Sequence, residues 1–379
     1  MKKNILYVSI CVLILPVFNI AAHSVPEVGR AKVMDKQHIY FVILAGGSGE
    51  RLWPLSRQSK PKQLLAVGDE QSLLDQAISR VESLAPKEQI WVSTTAQHAA
   101  SIEKEVGKRV GRVLAEPGSR NTGPAILYSC FEIYQKDPHA VIAFLPADPF
   151  IPTKDNNNFS QFLEHAIDFV SQNDSITLFG VKPTFPATGY GYIEFAAGDQ
   201  MAPYQVKKFH EKPALDVAQK YIESGNMLWN VSIFCAKVSV FLEEFSKNAP
   251  EMFQGVQDFV NGKKGYETVK ADSIDYAVME KSKRVTVLPV DFAWWDVGNI
   301  EIFLSIKEKY GALDTEKIVS TESFNNLIDV PNKLVALIGV NDLCVVETDE
   351  VLLITKREDA EKVRAIVKSL KQGSLRNYL

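Results

Sequence analysis

Cysteine, paired histidine and strong net charge are all scarce in this sequence, and each scarcity removes a class of chemistry. The four cysteines (Cys11, Cys130, Cys235, Cys344) are scattered over 379 residues with no CxxC pair. Disulfide frameworks and thiolate zinc sites need paired spacing, so these read as buried free thiols of a reducing compartment. The six histidines include no HxxxH or HxH pair, which argues against a zinc site. No Gly-x-Ser-x-Gly elbow is present, so the serine-hydrolase arrangement has no anchor. A net charge of −4 and a pI near 6.0 supply no basic coat for nucleic acid. Charge must therefore act locally.

It is concentrated in one place. Residues 44–63, LAGGSGERLWPLSRQSKPKQ, follow the apolar run Ile39–Leu44. Gly46, Gly47 and Gly49 leave the backbone free to adopt positive φ and to present N–H groups to a polyanion. Arg51 adds a planar fork and Lys62 a point charge where phosphates would lie. Neither familiar phosphate loop fits. A Walker loop needs Lys-Ser or Lys-Thr after its glycines, and a dinucleotide fingerprint needs Gly where this chain has Leu52. Three glycines alone would be an ordinary strand-to-helix turn. The cations, Trp53-Pro54 and Lys60-Pro61-Lys62-Gln63 make that reading insufficient.

The GGSGERLWPLS…PKQ pattern resembles the signature of nucleoside-diphosphate-sugar pyrophosphorylases, specifically mannose-1-phosphate guanylyltransferases. Further motifs in the family's order extend the resemblance from about Ile39 to about Tyr310. It implies Leu44, Ala45, Gly46, Gly47 and Gly49 at the nucleotide, with Arg51 and Lys62 catalytic.

Asp148 ends the LPAD run and Asp296 lies in WWDVGN. A lone Asp at a strand end is usually a helix cap or turn former. Mg²⁺ is commonly held by one or two carboxylates, with phosphates and water completing its shell. The resemblance implies that Asp148 and Asp296 jointly bind a catalytic Mg²⁺, Asp148 also counting as catalytic. Pro149 and Trp295 depart from the family's PADH and WSDVG, next to each carboxylate. In residues 116–124, EPGSRNTGP, Asn121 or Thr122 can serve simply as a helix cap. The family's RNTAP lies beside the nucleotide, which puts Glu116, Arg120, Asn121 and Thr122 near the guanine or ribose, with Glu116 a candidate acceptor for guanine N–H groups.

Three motifs suit a sugar phosphate: Gly189-Tyr190-Gly191, Glu211-Lys212 and Trp229-Asn230. Each taken alone fits a strand edge, an ion pair or a turn. Together and in family order they resemble the sugar-1-phosphate site, with Glu211 and Asn230 at hydroxyls and Lys212 at the phosphate. After Asn230 the family has Ser-Gly-Met-Phe, whereas this chain has Val231-Ser232-Ile233-Phe234 and a narrower expected pocket. Residues 273–282, SIDYAVMEKS, also match the family, but Ile274, Ala277 and Val278 read as core and Asp275 receives no role.

Short apolar runs (Ile39–Leu44, Ile90–Val92, Val141–Leu145, Ile176–Val181, Val285–Val290) alternate with amphipathic stretches. That pattern predicts an α/β fold with a mainly parallel sheet, ligands binding beyond the strands' carboxyl ends. The resemblance sharpens it to a Rossmann-like nucleotide-diphospho-sugar transferase over residues 37–311. It also implies a small β-rich, left-handed β-helix-like domain with a closing helix over residues 312–379. Lys2-Lys3 and the run Ile5–Ala22 look like a secretory signal. Nucleoside triphosphates are cytosolic, so residues 1–36 are expected to be a disposable leader, or an extension absent from a protein starting at Met34. A cytoplasmic enzyme without stable membrane association follows.

The implied reaction joins GTP and mannose-1-phosphate into GDP-mannose and pyrophosphate. The alternatives are another sugar nucleotidyltransferase, using UTP, dTTP or a different hexose phosphate, and a non-catalytic sugar-nucleotide-binding regulatory protein. A homodimer through the C-terminal strands rests on analogy with the family.

Overall fold

The five apolar runs are all strands, and they assemble into one sheet. The computed structural model describes residues 36–379, apart from Asp69 and residues 197–202; the leader expectation and Cys11 lie outside the described residues. The first half contains β1 (Ile39–Leu44), α1 (Leu73–Ser79), β2 (Ile90–Thr95), α2 (Ala96–Val106), β3 (Arg112–Glu116), α3 (Thr122–Lys136), β4 (Val141–Pro146), β5 (Pro149–Phe150) and α4 (Asn156–Gln172). There follow β6 (Ile176–Val181), β7 (Tyr192–Phe195), β8 (Tyr204–His210), α5 (Leu215–Ser224), β9 (Met227–Lys237), α6 (Val238–Asn248) and α7 (Pro250–Val260). Next come β10 (Val285–Val290), β11 (Trp295–Asp296) and α8 (Ile300–Lys309).

The nine-stranded sheet has the order β3-β2-β1-β4-β9-β6-β10-β8-β7. Strands β3, β2, β1 and β4 are mutually parallel, and β10 is parallel to β6. Strand β9 runs antiparallel between β4 and β6, and its first residues also pair with β7. The sheet is therefore mixed. Parallel strands covered on both faces read as unbroken apolar runs, and β1, β4 and β6 do. Strand β8, with its alternating exposure, carries no such run and was not expected from the sequence.

Local signals set the helix ends. Ser72 accepts from the Asp75 N–H to open α1, Asn299 accepts from the Ile302 N–H to open α8, and Pro250 starts α7. The core between β1, β4, β6, β9 and β10 and helices α3, α6 and α7 includes Phe144, Phe234, Phe241 and Phe245. Cys130, Cys235 and Cys344 are buried free thiols, as expected.

After α8, β12 (Ile318–Thr321) pairs with β14 (Val335–Ile338), and β13 (Leu327–Asp329) with β15 (Leu343–Glu347), both in parallel. Strand β16 (Leu352–Lys356) joins β15 antiparallel, and α9 (Val363–Gln372) follows a 3₁₀ turn, Arg357–Lys362. Parallel pairs of strands stacked through short connections match the expected β-helix-like region. Its small interior holds Ile328, Val330 and Val345. A second core is shared with the first half: Leu52, Trp53 and Leu65 from the loop after β1 pack with Phe303, Cys344, Val363 and Val367. Among the described residues no helix is long and apolar enough to cross a membrane.

Candidate active site

The loop after β1 is anchored by main-chain bonds at its base and opens at its glycines. Ala45 donates its N–H to Ser93 O (2.7 Å), and its carbonyl accepts from Gln63 Nε2 and from Thr94 Oγ1 (2.9 Å). The Leu44 carbonyl accepts from the Ala147 N–H (3.0 Å). Leu44 and Ala45 thus build the floor of the loop. At Gly46 and Gly47 an added Cβ would meet nothing within 4 Å, so the space in front of them is free for a ligand. Of the three glycines only Gly49 has positive φ (67°), so the freedom that all three allow is used at one of them. A Cβ there would lie 2.5 Å from Lys62 Cβ. Gly49 is therefore fixed both by its left-handed backbone and by the closeness of Lys62.

Asp148 and Asp296 meet. The short strands β5 and β11 pair antiparallel with Asp296 opposite Pro149 and Trp295 opposite Phe150. This ladder carries the two acidic motifs to one spot, and the family-departing residues Pro149 and Trp295 are its members. Trp295 packs against Phe150 and Tyr310 at centroid distances of 5.8 and 6.0 Å, beside its carboxylate neighbour rather than over it. Between the acids stands Lys62, whose Nζ is 3.0 Å from Asp148 Oδ2 and 3.8 Å from Asp296 Oδ1. The Lys62 side chain is only 9% exposed, while the acids are 42% and 39% exposed and face outward. Although part of Asp296 reaches solvent, the protein packed around its carboxyl desolvates it and raises its pKa; Lys62 opposes that, and repulsion from Asp148 adds to it. The formal charge of the trio is one negative unit.

Two exposed carboxylates with a single buried counter-cation form an oxygen donor set suited to a hard divalent ion, the rest of whose shell would come from water and substrate phosphates. Among the described residues no group of three or more His, Cys, Asp or Glu offers an all-protein cage. Arg51, on a 3₁₀ turn (Glu50–Leu52), has its Nη1 3.0 Å from Glu361 Oε2 and also helps to hold the Asp296 pKa down.

The cluster at residues 116–124 requires a correction. Glu116 is 3% exposed, and Tyr266 donates its hydroxyl to it at 2.5 Å. It is a buried acid with its own partner rather than an open acceptor for a base edge. Burial lifts its pKa from 4.5 to about 7, against the bond from Tyr266. Arg120 donates to the Glu267 carbonyl, and Asn121, at φ 71°, accepts from the Thr122 N–H as the cap of α3. Thr122 Oγ1 accepts from the Ile274 N–H (3.1 Å). The simple capping reading thus holds for Asn121. Both Asn121 and Thr122 remain exposed.

The sugar-phosphate candidates converge. Gly191 sits where a Cβ would come within 2.7 Å of Glu211 Oε2, so this glycine lets the carboxylate approach the backbone, while Gly189 borders open space. Glu211 accepts from Lys212 Nζ at 2.6 Å, a bond that raises the Lys212 pKa. Tyr190 packs edge-on against Trp229 (5.1 Å) and Trp294 (5.3 Å). Its phenol is pushed upward by burial first and by Asp296 second, which ties this cluster electrostatically to the acidic pair. The indole N–H groups of Trp229 and Trp294 are buried without a partner, leaving donors beside the cluster.

One residue was missed. Asn230 donates from Nδ2 to Asp275 Oδ1 (3.1 Å), and its own Oδ1 accepts from the Ser232 N–H (3.0 Å). Asp275 opens a π-helical turn, Asp275–Met279, a geometry frequent at functional sites. Burial, then repulsion from Glu211, raise its pKa from 3.8 to about 6. Nothing in the helical spacing of its neighbours signalled this; only the match of SIDYAVMEKS to the family did. Ser232 has φ 59°, the left-handed region, where the family carries glycine.

Residues 40–312 match the nucleotidyl transferase family model, and residues 316–370 match the mannoseP isomerase/GMP-like beta-helix domain model. The chain belongs to the nucleotidyl transferase family. It is 35% identical to mannose-1-phosphate guanylyltransferase 2 of Escherichia coli O157:H7, covering 91% of this chain and 76% of that one. It is 32% identical to mannose-1-phosphate guanylyltransferase RfbM of Salmonella typhimurium, covering 89% and 73%. Among solved structures, one described as mannose-1-phosphate geranyltransferase from Thermus thermophilus superposes with a TM-score of 0.77 at 29% identity, over 88% of this chain and 99% of that chain. The family model ends at 312 and the beta-helix model begins at 316.

Proposed function

We propose that this chain transfers GMP from GTP to mannose-1-phosphate, releasing pyrophosphate and forming GDP-mannose. The observation that carries the reading is the convergence of Lys62, Asp148 and Asp296 behind the open glycine loop, with a sugar-type cluster around Tyr190 alongside. The names of the two relatives supply the nucleotide and the sugar.

Both reactants are anions, so their repulsion is the first barrier. A phosphate oxygen of mannose-1-phosphate attacks the α-phosphorus of GTP in line. The new P–O bond forms as the bond to the β-phosphate oxygen breaks, and pyrophosphate leaves with that electron pair. The attacking phosphate is already ionised, so no general base is needed and no covalent enzyme intermediate forms. Gly46 and Gly47 admit the triphosphate close to the backbone, and Arg51 and Lys62 balance the charge that builds on the departing pyrophosphate. Lys212 meets the sugar phosphate. Glu211 and Asn230, the latter oriented by Asp275, meet hydroxyls. Arg120, Asn121 and Thr122 border the nucleoside, with Glu116 acting through Tyr266. Asp148 and Asp296 would hold a divalent metal, for which Mg²⁺ suits the oxygen donors, and it would neutralise phosphate charge. Positioning and electrostatics account for the catalysis. The enzyme would work in the cytoplasm, where GTP is found.

The test is pyrophosphate release measured across GTP, ATP, UTP and dTTP with mannose-1-phosphate and glucose-1-phosphate. Highest kcat/KM for GTP with mannose-1-phosphate is expected. A preference for UTP or dTTP would replace the reading with another member of the fold. Tight GDP-mannose binding without turnover would make the chain a binding protein.

A further inference from the structure

Of the two loop cations assigned to the phosphates, Arg51 and Lys62, Arg51 is engaged by a residue from the far end of the chain. Glu361 lies in the 3₁₀ turn that leads into α9, and its carboxylate lies 3.2 Å (Oε1) and 3.0 Å (Oε2) from Arg51 Nη1. The same Oε1 accepts from Asn299 Nδ2 at 2.8 Å. Asn299 follows Asp296 by three residues and caps α8. One carboxylate therefore stitches the cationic turn to the segment that carries the metal-site acid. Glu361 also tends to raise the Asp296 pKa, so its charge is felt at the acidic pair.

Three neighbouring contacts fasten the same C-terminal segment without using a phosphate-facing group. Trp53 Nε1 donates to Tyr378 O at 2.7 Å, Arg57 Nη1 pairs with Glu350 at 2.6 Å, and Lys371 pairs with Glu50. These contacts, and the shared core of Leu52 with Val363 and Val367, hold the segment whether or not Glu361 stays on Arg51. The Arg51–Glu361 pair itself is open to solvent, at 34% and 56% exposure. Exposed pairs of this kind contribute little to stability, far less than a triphosphate offers the same guanidinium.

We propose that Glu361 acts through Arg51 as a displaceable internal anion: it occupies the guanidinium in the free enzyme and yields it to the nucleotide's phosphates. This rests on the reading of Arg51 as a phosphate contact. Nucleotide binding then includes an exchange of one anion for another at Arg51, and the Glu361 carboxylate competes with the substrate.

The experiment compares the parent with Glu361→Gln, Arg51→Ala and the double variant. It reads equilibrium binding of Mg²⁺-GTP without sugar phosphate, and steady-state KM and kcat. Glu361→Gln keeps an acceptor for Asn299 and removes only the charge. The expected result is about threefold to fivefold tighter GTP binding, the equivalent of up to about 1 kcal/mol. A matching fall in KM, kcat within twofold and a gain that shrinks at high salt complete the expectation. In the Arg51→Ala background the substitution should change GTP binding by less than the threefold lower bound. Unchanged or weaker GTP binding by Glu361→Gln overturns the proposal, as does an undiminished gain in the absence of Arg51. If Arg51→Ala alone binds and turns over normally, the phosphate role of Arg51 fails instead, which separates the two failures.

Discussion

Replacing Glu116 by Gln should make the protein more stable at alkaline pH and no more stable in mild acid. The side chain is 3% exposed, its partner is Tyr266, and burial lifts its pKa from 4.5 to about 7. A folded-state value above the unfolded one means that the native state binds the proton more tightly. Stability from this group is complete below pH 4.5 and is lost as pH rises through about 7. At 1.36 kcal/mol per pKa unit the loss above pH 7 is about 3 kcal/mol. Gln cannot ionise, so it escapes that loss, while its buried amide N–H, set where a carboxyl oxygen lay, carries a pH-independent cost of about 1 kcal/mol. Glu116→Gln should therefore gain about 2 kcal/mol at pH 8.5, which for a chain of this size is about 3 °C in Tm. Near pH 5.5 the two effects offset each other and the difference should close. The assay is thermal unfolding of parent and variant at both pH values. Because Asp275 and the other carboxylates are common to both chains, the difference isolates Glu116. A variant less stable than the parent at pH 8.5, or a gap that does not shrink toward pH 5.5, would refute the reasoning.

Other substitutions probe the site directly. Arg51→Ala and Asp148→Asn should each lose about a hundredfold in kcat, near 3 kcal/mol of charge stabilisation, with circular dichroism and Tm little changed; near-normal turnover in either removes its assigned role. Asp275→Asn should raise KM for mannose-1-phosphate, because the carboxylate orients Asn230. The same variant should flatten the part of the parent's stability that falls between about pH 4 and pH 6, the range over which the raised carboxyl of Asp275 is driven to ionise; an unchanged pH–stability slope would count against its burial. Gly49→Ala forces a Cβ against Lys62 at a left-handed φ, and should cost at least about 1 kcal/mol in stability and lower kcat by moving the lysine. Parental kinetics for Gly49→Ala would show that the turn tolerates the shift.

What the sequence disclosed follows from how each part signals itself. Parallel strands buried on both faces leave continuous apolar runs, so β1, β4, β6 and β10 could be read directly. Strand β9 is the longest and lies centrally, yet its start was read as a Trp229-Asn230 motif because its polar members sit where the ladder shifts near Gly180. The glycine loop was legible from its glycines and cations, whereas the two aspartates, each of which alone reads as a cap or turn former, stood out only through the family resemblance. Their meeting was implied by the resemblance alone, since the two-residue ladder between β5 and β11 that brings them together has no sequence pattern of its own. Burial misled the reading at Glu116: an acid beside a nucleotide motif suggests an open acceptor, and only the fold brings Tyr266, 150 residues later, onto it. Asp275 stayed hidden for a similar reason, because it sits on a turn whose neighbours are core residues and its partner Asn230 is 45 positions earlier. The hold of Glu361 on Arg51 spans 310 positions and belongs to tertiary structure alone.

The central claim is that Asp148 and Asp296, balanced by one lysine, hold the metal that lets two anions react. Pyrophosphate release by Asp296→Asn, followed as a function of Mg²⁺ concentration with GTP and mannose-1-phosphate saturating, tests it most directly. The account predicts a kcat about a hundredfold below the parent and a half-saturating Mg²⁺ concentration raised about tenfold or more. Parental turnover with an unchanged Mg²⁺ dependence would contradict it.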